Sequence, residues 1–147
     1  MLKSTLVIFV LSLSSQMSWA VTGPDSRLTP GRVCTSTDPD FAGFDYPEQI
    51  ARCTRNVSRA EKAQVAQEYG GIPEGRWSLY EFDHLIPLCA GGSNNISNIW
   101  PQPISEAHDK DKLEYEICMA LKAGKMKQVQ AVKKVHDWFL KLNFSQD

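Results

Sequence analysis

Beyond its first twenty residues the chain has no apolar run of the roughly 20 residues that a bilayer-spanning helix needs. It has no excess of either charge, since 16 basic residues face 17 acidic ones. That excludes a grip on polyanions by bulk charge and leaves only local patches for such a contact. No Cys-x-x-Cys pair occurs among its four cysteines, which removes the commonest structural zinc site. There are three histidines, so imidazole chemistry falls to His84, His108 or His136. No internal repeat or low-complexity tract is present, and 147 residues suit one domain without a tandem reading module for nucleic acid.

The first residues have the pattern of an export signal. Lys3 precedes the apolar run Leu6-Val7-Ile8-Phe9-Val10-Leu11, and Ser18-Trp19-Ala20 offers small residues at the positions a signal peptidase reads. Residues 1–20 are therefore expected to be a signal peptide, leaving 21–147 as one exported domain, periplasmic or secreted, with no stable membrane association. Without Lys3, 15 basic residues face 17 acidic ones, a net charge of −2. One local patch stands out near the end, where Lys122, Lys125, Lys127, Lys133, Lys134 and Lys141 face only Asp137; taken alone it reads first as the solvated face of a helix.

Residues 21–57 carry Pro24, Pro30, Pro39 and Pro47 and read as turn-rich, without sustained periodicity. Ser58-Arg59-Ala60-Glu61 is a capping box that opens a helix with Ala63, Ala66 and Tyr69 as its stripe, closed by Gly70-Gly71. Aromatic and branched residues from Trp77 to Ile86 predict a strand. A second strand is expected over Ile96 to Trp100, stopped by Pro101, so that the two form a hairpin with a long loop. Ser105 is the expected cap of the next helix, with Leu113, Ile117 and Leu121 on one face and Gly124 at its end. A last helix from about Met126 to Leu142 buries Val132, Val135, Phe139 and Leu142, with Trp138 beside them. The fold class is α+β.

An even number of cysteines in an exported chain reads as disulfides, and four allow three connectivities. The pairing expected is Cys34–Cys53 and Cys89–Cys118. The first closes the turn-rich segment, which has few apolar residues to hold it. The second ties the hairpin loop to the helix packed against it.

The chemistry-bearing stretch is Tyr80-Glu81-Phe82-Asp83-His84-Leu85-Ile86-Pro87-Leu88, then Gly91-Gly92-Ser93-Asn94, then Asn98-Ile99-Trp100-Pro101. An Asp-His pair alone is weak evidence; here it is followed by Pro and Leu, a Gly-Gly turn, and an Asn fourteen positions after the His. This resembles the signature of HNH nucleases, and in particular an exported bacterial branch of that family. In that branch a Lys-Asp-x-x-Glu element follows on the helix, matched by Lys110-Asp111-Lys112-Leu113-Glu114. The similarity runs from about Cys34 through the final helix. It implies a small ββα-metal core with flanking helices and a disulfide-tied N-terminal segment.

The resemblance also implies an activity: a metal-dependent endonuclease, a hydrolase acting on phosphodiester bonds of DNA, with RNA as the alternative, and with little sequence preference. His84 suits the base that activates water, because a neutral imidazole accepts a proton near pH 7. Asn98 matches the middle Asn of the pattern, which bonds across the loop and holds the His. Asp83 and Asp111 are the expected ligands of one divalent ion, magnesium by its preference for oxygen, with zinc or manganese as alternatives. His108 is the rival of Asp111 on the helix. His136, beside Asp137, reads as surface. Two other classes stay open: an inactive module on the same fold that binds polyanions or a protein, and an exported nuclease toxin that travels with an inhibitor protein. A monomer is expected.

Overall fold

A computed structural model describes Val21 and residues 23–144, so the expected leader over 1–20 lies outside the described residues. Among the described residues no helix is long and apolar enough to cross a membrane. The order is β1 (Phe41–Asp45), β2 (Ile50–Cys53), α1 (Arg59–Glu68), β3 (Tyr80–His84), β4 (Ile99–Pro103), α2 (Ile104–Lys122) and α3 (Gln128–Phe144). Short 3-10 turns occupy Glu74–Leu79, Leu88–Ala90 and Ile96–Asn98. The class is α+β, as expected, with two antiparallel two-stranded sheets, β1–β2 and β3–β4.

The β1–β2 hairpin falls in the stretch that reads as turns alone. Its connection places Tyr46 and Gln49 at φ of 64° and 60°, a region that residues with a Cβ rarely enter, so no Asn-Gly signal announces it. Tertiary contacts hold it instead. Ile50 and Cys53 are buried, and Cys53 is bonded to Cys34 with the Cα atoms 5.8 Å apart. The chain before β1 is laced to the β3–β4 loop: Gly31 N donates to Ser97 O (3.0 Å), Cys34 N to Gly91 O (2.7 Å), and Ser93 N to Arg32 O (3.0 Å).

Helix α1 starts where the capping box predicts. Ser58 accepts from Glu61 N and the Glu61 carboxylate accepts from Ser58 N, which satisfies two amides that lack partners in the first turn. Its buried face is Val65 and Ala66 with Tyr69 half-buried, while Ala63 is exposed, a correction to the expected stripe.

The β3–β4 hairpin is shorter at one end and longer at the other than expected. Glu74–Leu79 forms a 3-10 turn, so β3 begins only at Tyr80 and ends at His84. Pro101 does not stop the second strand, which runs to Pro103. The register explains this: Pro101 pairs with Phe82 and Pro103 with Tyr80, positions of one parity, whose missing N–H groups face away from β3.

Successive residues of β4 point to opposite faces and join different clusters. Ile99 packs with Val65, Ala66, Ile72 and Phe82, on the α1 side. Trp100 packs with Leu113, Ile117 and Leu121 of α2 and Val135 of α3. The hairpin is thus held between α1 on one face and α2 with α3 on the other. Ser105 lies inside α2, whose start has no side-chain cap, so the expected cap is corrected; Gly124 takes φ of 65° just past the helix end. In α3 Val135 and Phe139 are buried as predicted, but Ala131 takes the buried place expected of Val132, which like Leu142 is only half-buried. The second disulfide is Cys89–Cys118, also as expected, with Cα atoms 5.6 Å apart; it ties the β3–β4 loop to α2.

Candidate active site

Asp83 and His84 are the last two residues of β3, so their side chains leave opposite faces of the strand. Asp83 turns to α2 and meets Lys110; His84 turns to the loop and meets Asn94. Neighbours in sequence therefore serve different surroundings.

The loop between the strands is fixed by Asn98, which is fully buried. Its Oδ1 accepts from Ile86 N (2.9 Å) and Arg32 N (3.4 Å), while its Nδ2 donates to Ile86 O (3.1 Å) and Ser93 O (2.9 Å). One side chain thus satisfies both backbone groups of Ile86, two residues past His84. Sealed in this way, Asn98 braces the backbone that follows His84. The Gly-Gly turn has a steric reason. A Cβ on Gly92 would overlap the Ile86 carbonyl and lie 3.0 Å from Asn98 Nδ2.

His84 is 2% exposed. Burial is the largest influence on its ring and holds its pKa below the ordinary value; the positive charges of Arg55 and Lys110 act the same way, against the hydrogen bond to Asn94 and the charge of Asp83. The imidazole is therefore neutral near pH 7. Its Nε2 lies 3.0 Å from Asn94 Oδ1. Asn94 in turn donates from Nδ2 to Asp40 Oδ2 (2.9 Å) and Thr54 O (2.7 Å), and accepts from Asn56 N (3.2 Å).

On the other face, Lys110 is 1% exposed. Its ammonium donates to Asp83, to Glu114 and, at 2.7 Å, to the His84 carbonyl. Burial alone would push the ammonium toward losing its proton, but the two carboxylates outweigh it and raise its pKa. Glu114 is also raised, by burial first and by the nearby Asp83 charge, against the pull of Lys110.

This arrangement does not suit the expected metal. Asp83 faces Lys110 and Glu114, while Asp111, one residue further along α2, is exposed, as is His108. One oxygen each of Asp83 and Glu114, of the kind a hard divalent ion takes, already lies against an ammonium group. Among the described residues the one close group of three metal-ligating types is Cys34, Asp38 and Cys53, and both of its sulfurs are spent in the disulfide. Asp83 with Asp111, or with His108, is not assembled as a ligand set.

The residue that sequence reasoning missed is Arg55. It sits in the link between β2 and α1, and its guanidinium runs along the free edge of β3. It donates to Phe82 O (2.9 Å) and stands 4.0 Å from both Glu81 and Asp83. The side chain is 48% exposed, so this cation beside Asp83 and His84 is open to a ligand. No short motif marks it, because its place depends on the disulfide-tied segment. The terminal lysines are partly paired: Lys133 with Asp137, as the sequence allows, and Lys134 with Glu116 of α2, a partner not expected. His136 is half-buried rather than fully on the surface. No family model, curated protein or solved structure matches this chain, so the geometry of these residues carries the functional reading.

Proposed function

We propose that the chain hydrolyses phosphodiester bonds of nucleic acid outside the cytosol. His84 takes the proton from the attacking water, and Arg55 holds the scissile phosphate. The observation that carries this reading is a neutral histidine at the end of β3, in a loop clamped by Asn98, beside a half-exposed guanidinium. Hydrolysis needs a base for water and a cation for the phosphate, and these two side chains supply them. The likeness of the Asp83-His84, Gly91-Gly92 and Asn98 elements to HNH nucleases supports it, as does the β3–β4–α2 order. Two disulfides favour an oxidising compartment. DNA is the first substrate to test and RNA the second. No step is assigned to a metal, because Lys110 already occupies the space between Asp83 and Glu114.

The deep burial of His84 favours a second reading, a module that binds polyanions without cutting them. One experiment separates the two. Plasmid DNA and a structured RNA are incubated with wild type, His84→Ala and Arg55→Ala, and binding is followed in parallel. Cutting that disappears in His84→Ala, by a factor of about 10² to 10⁴, supports the hydrolase. Binding without cutting by wild type supports the second reading, and cutting at an unchanged rate by His84→Ala ends the proposed mechanism.

A further inference from the structure

The amide of Asn94 has only one workable orientation. Its Nδ2 faces two groups that can only accept, the Asp40 carboxylate (2.9 Å) and the Thr54 carbonyl (2.7 Å). Its Oδ1 faces the Asn56 backbone N–H (3.2 Å), which can only donate. Turning the amide over would set oxygen against two oxygens and N–H against N–H, so the choice does not depend on telling the two amide ends apart. The atom that meets His84 Nε2 at 3.0 Å is therefore an acceptor, and Nε2 must carry the hydrogen. A neutral ring has one N–H, which leaves the lone pair on Nδ1. Among the described residues Nδ1 has no hydrogen-bond partner, so its lone pair is free to take a proton.

We propose that Asn94 and Asp40 are positioning residues that lock His84 in the Nε2–H form and make Nδ1 its base atom. The inference deepens the hydrolase reading, and its chemical use rests on that reading. In the reaction, water's proton passes to Nδ1 as the water oxygen bonds to phosphorus. The bond from phosphorus to the leaving oxygen breaks, and that oxygen takes a proton from solvent. The ring becomes imidazolium, and its Nε2–H still donates to Asn94 Oδ1. Asp40, accepting from the far side of the amide, polarises Asn94 and strengthens that acceptor without bringing a carboxylate to the ring.

The lock comes from the disulfide-tied segment. Asp40 precedes β1 directly. Thr54, Arg55 and Asn56 follow Cys53; the Asp40 backbone carbonyl accepts from Thr54 N (2.9 Å) and its carboxylate from Asn56 Nδ2 (2.7 Å). The N-terminal hairpin and the Cys34–Cys53 bridge thus set the tautomer of a histidine on another sheet. Sequence order gives no sign of this.

Nitrogen NMR of the ¹⁵N-labelled protein tests the proposal independently of activity. In wild type at neutral pH the His84 ring is expected to show a protonated Nε2 and an unprotonated Nδ1. In Asn94→Ala both tautomers should populate, and kcat should fall in proportion to the lost free-Nδ1 fraction, about twofold for equal populations, while KM holds, because only that fraction reacts. Asp40→Asn, a milder change for use if Asn94→Ala fails to fold, should move the ring signals the same way by less. A wild-type ring protonated at Nδ1 overturns the proposal, and so do ring signals unchanged in both variants. A ring locked as described in a protein that cuts neither DNA nor RNA leaves the tautomer assignment standing and removes the hydrolase reading.

Discussion

Lys110 Nζ donates to the Asp83 carboxylate and, at 2.7 Å, to the His84 carbonyl, so one side chain of α2 holds both members of the Asp-His pair. A lysine this deeply buried is tolerated because every proton on its nitrogen has an acceptor, Glu114 taking the third. Lys110→Ala strands two carboxylates without their cation and should cost about 3–5 kcal/mol. Urea unfolding of wild type and variant checks it; a loss under about 1 kcal/mol would show the contact to be a surface-like ion pair.

Because an ammonium already sits between Asp83 and Glu114, magnesium should add nothing to stability. The melting temperature is expected to be the same in chelator and in excess magnesium. Asp111→Ala, on the exposed side of α2, should move stability by no more than about 0.5 kcal/mol. A magnesium-dependent rise in melting temperature that vanishes in Asp83→Asn would restore the metal reading and contradict this one.

Asn98 joins four backbone groups in a sealed site, so Asn98→Ala leaves several of them without partners. Each buried orphan costs about 1–3 kcal/mol, and a total near 3 kcal/mol or more is expected. Gly92→Ala should act on the same clamp by forcing the Ile86 carbonyl aside. Hydrogen exchange at the Ile86 amide reads both changes. Protection as in wild type would mean that the loop holds without the clamp.

The lowered pKa of His84 has a defined sign in stability. In the unfolded chain the ring takes up a proton near its ordinary value of 6.5, whereas in the fold it resists until lower pH. Its contribution is therefore fully present above pH 6.5 and is lost as pH falls through the folded value. Activity that depends on the neutral ring should fall over the same acid range. Melting temperatures from about pH 8 to about pH 4 should drop more steeply for wild type than for His84→Gln. Parallel curves would mean that another group dominates.

The Cys89–Cys118 bridge joins the β3–β4 loop to α2, across 29 residues of chain. Replacing both cysteines by serine should cost about 2–4 kcal/mol, mainly by freeing the unfolded chain. Denaturant curves of the double variant measure it. An unchanged midpoint would show that packing of Ile117 and Leu121 alone holds the helix.

Much of the scaffold could be read in advance because its signals are local. Ser58 and Glu61 lie one turn apart and cap each other wherever the helix sits. The Leu113, Ile117, Leu121 stripe follows from helical spacing, and the need to anchor the turn-rich segment and the hairpin loop led to the right cysteine pairs. The ends of β3 and β4 were misjudged, since whether a proline stops a strand depends on which edge its missing N–H faces, and pairing decides that.

The site divides in the same way. The resemblance to HNH nucleases singled out Asp83, His84 and Asn98 from the sequence, through the Asp-His pair, the Gly-Gly turn and the Asn fourteen positions on. It also pointed to the Lys110–Glu114 stretch, but not to which of its side chains faces the strand. Each helical residue turns the side chain by about 100°, so the choice between Lys110 and Asp111 is one of rotation about the helix axis, settled only when Leu113 and Ile117 pack against Trp100. Arg55, Asn94 and Asp40 came to His84 through long-range bonds between the disulfide-tied segment and the loop. Tertiary structure decided their positions, because hydrogen bonds between residues 27 to 54 apart in the chain leave no periodicity to read.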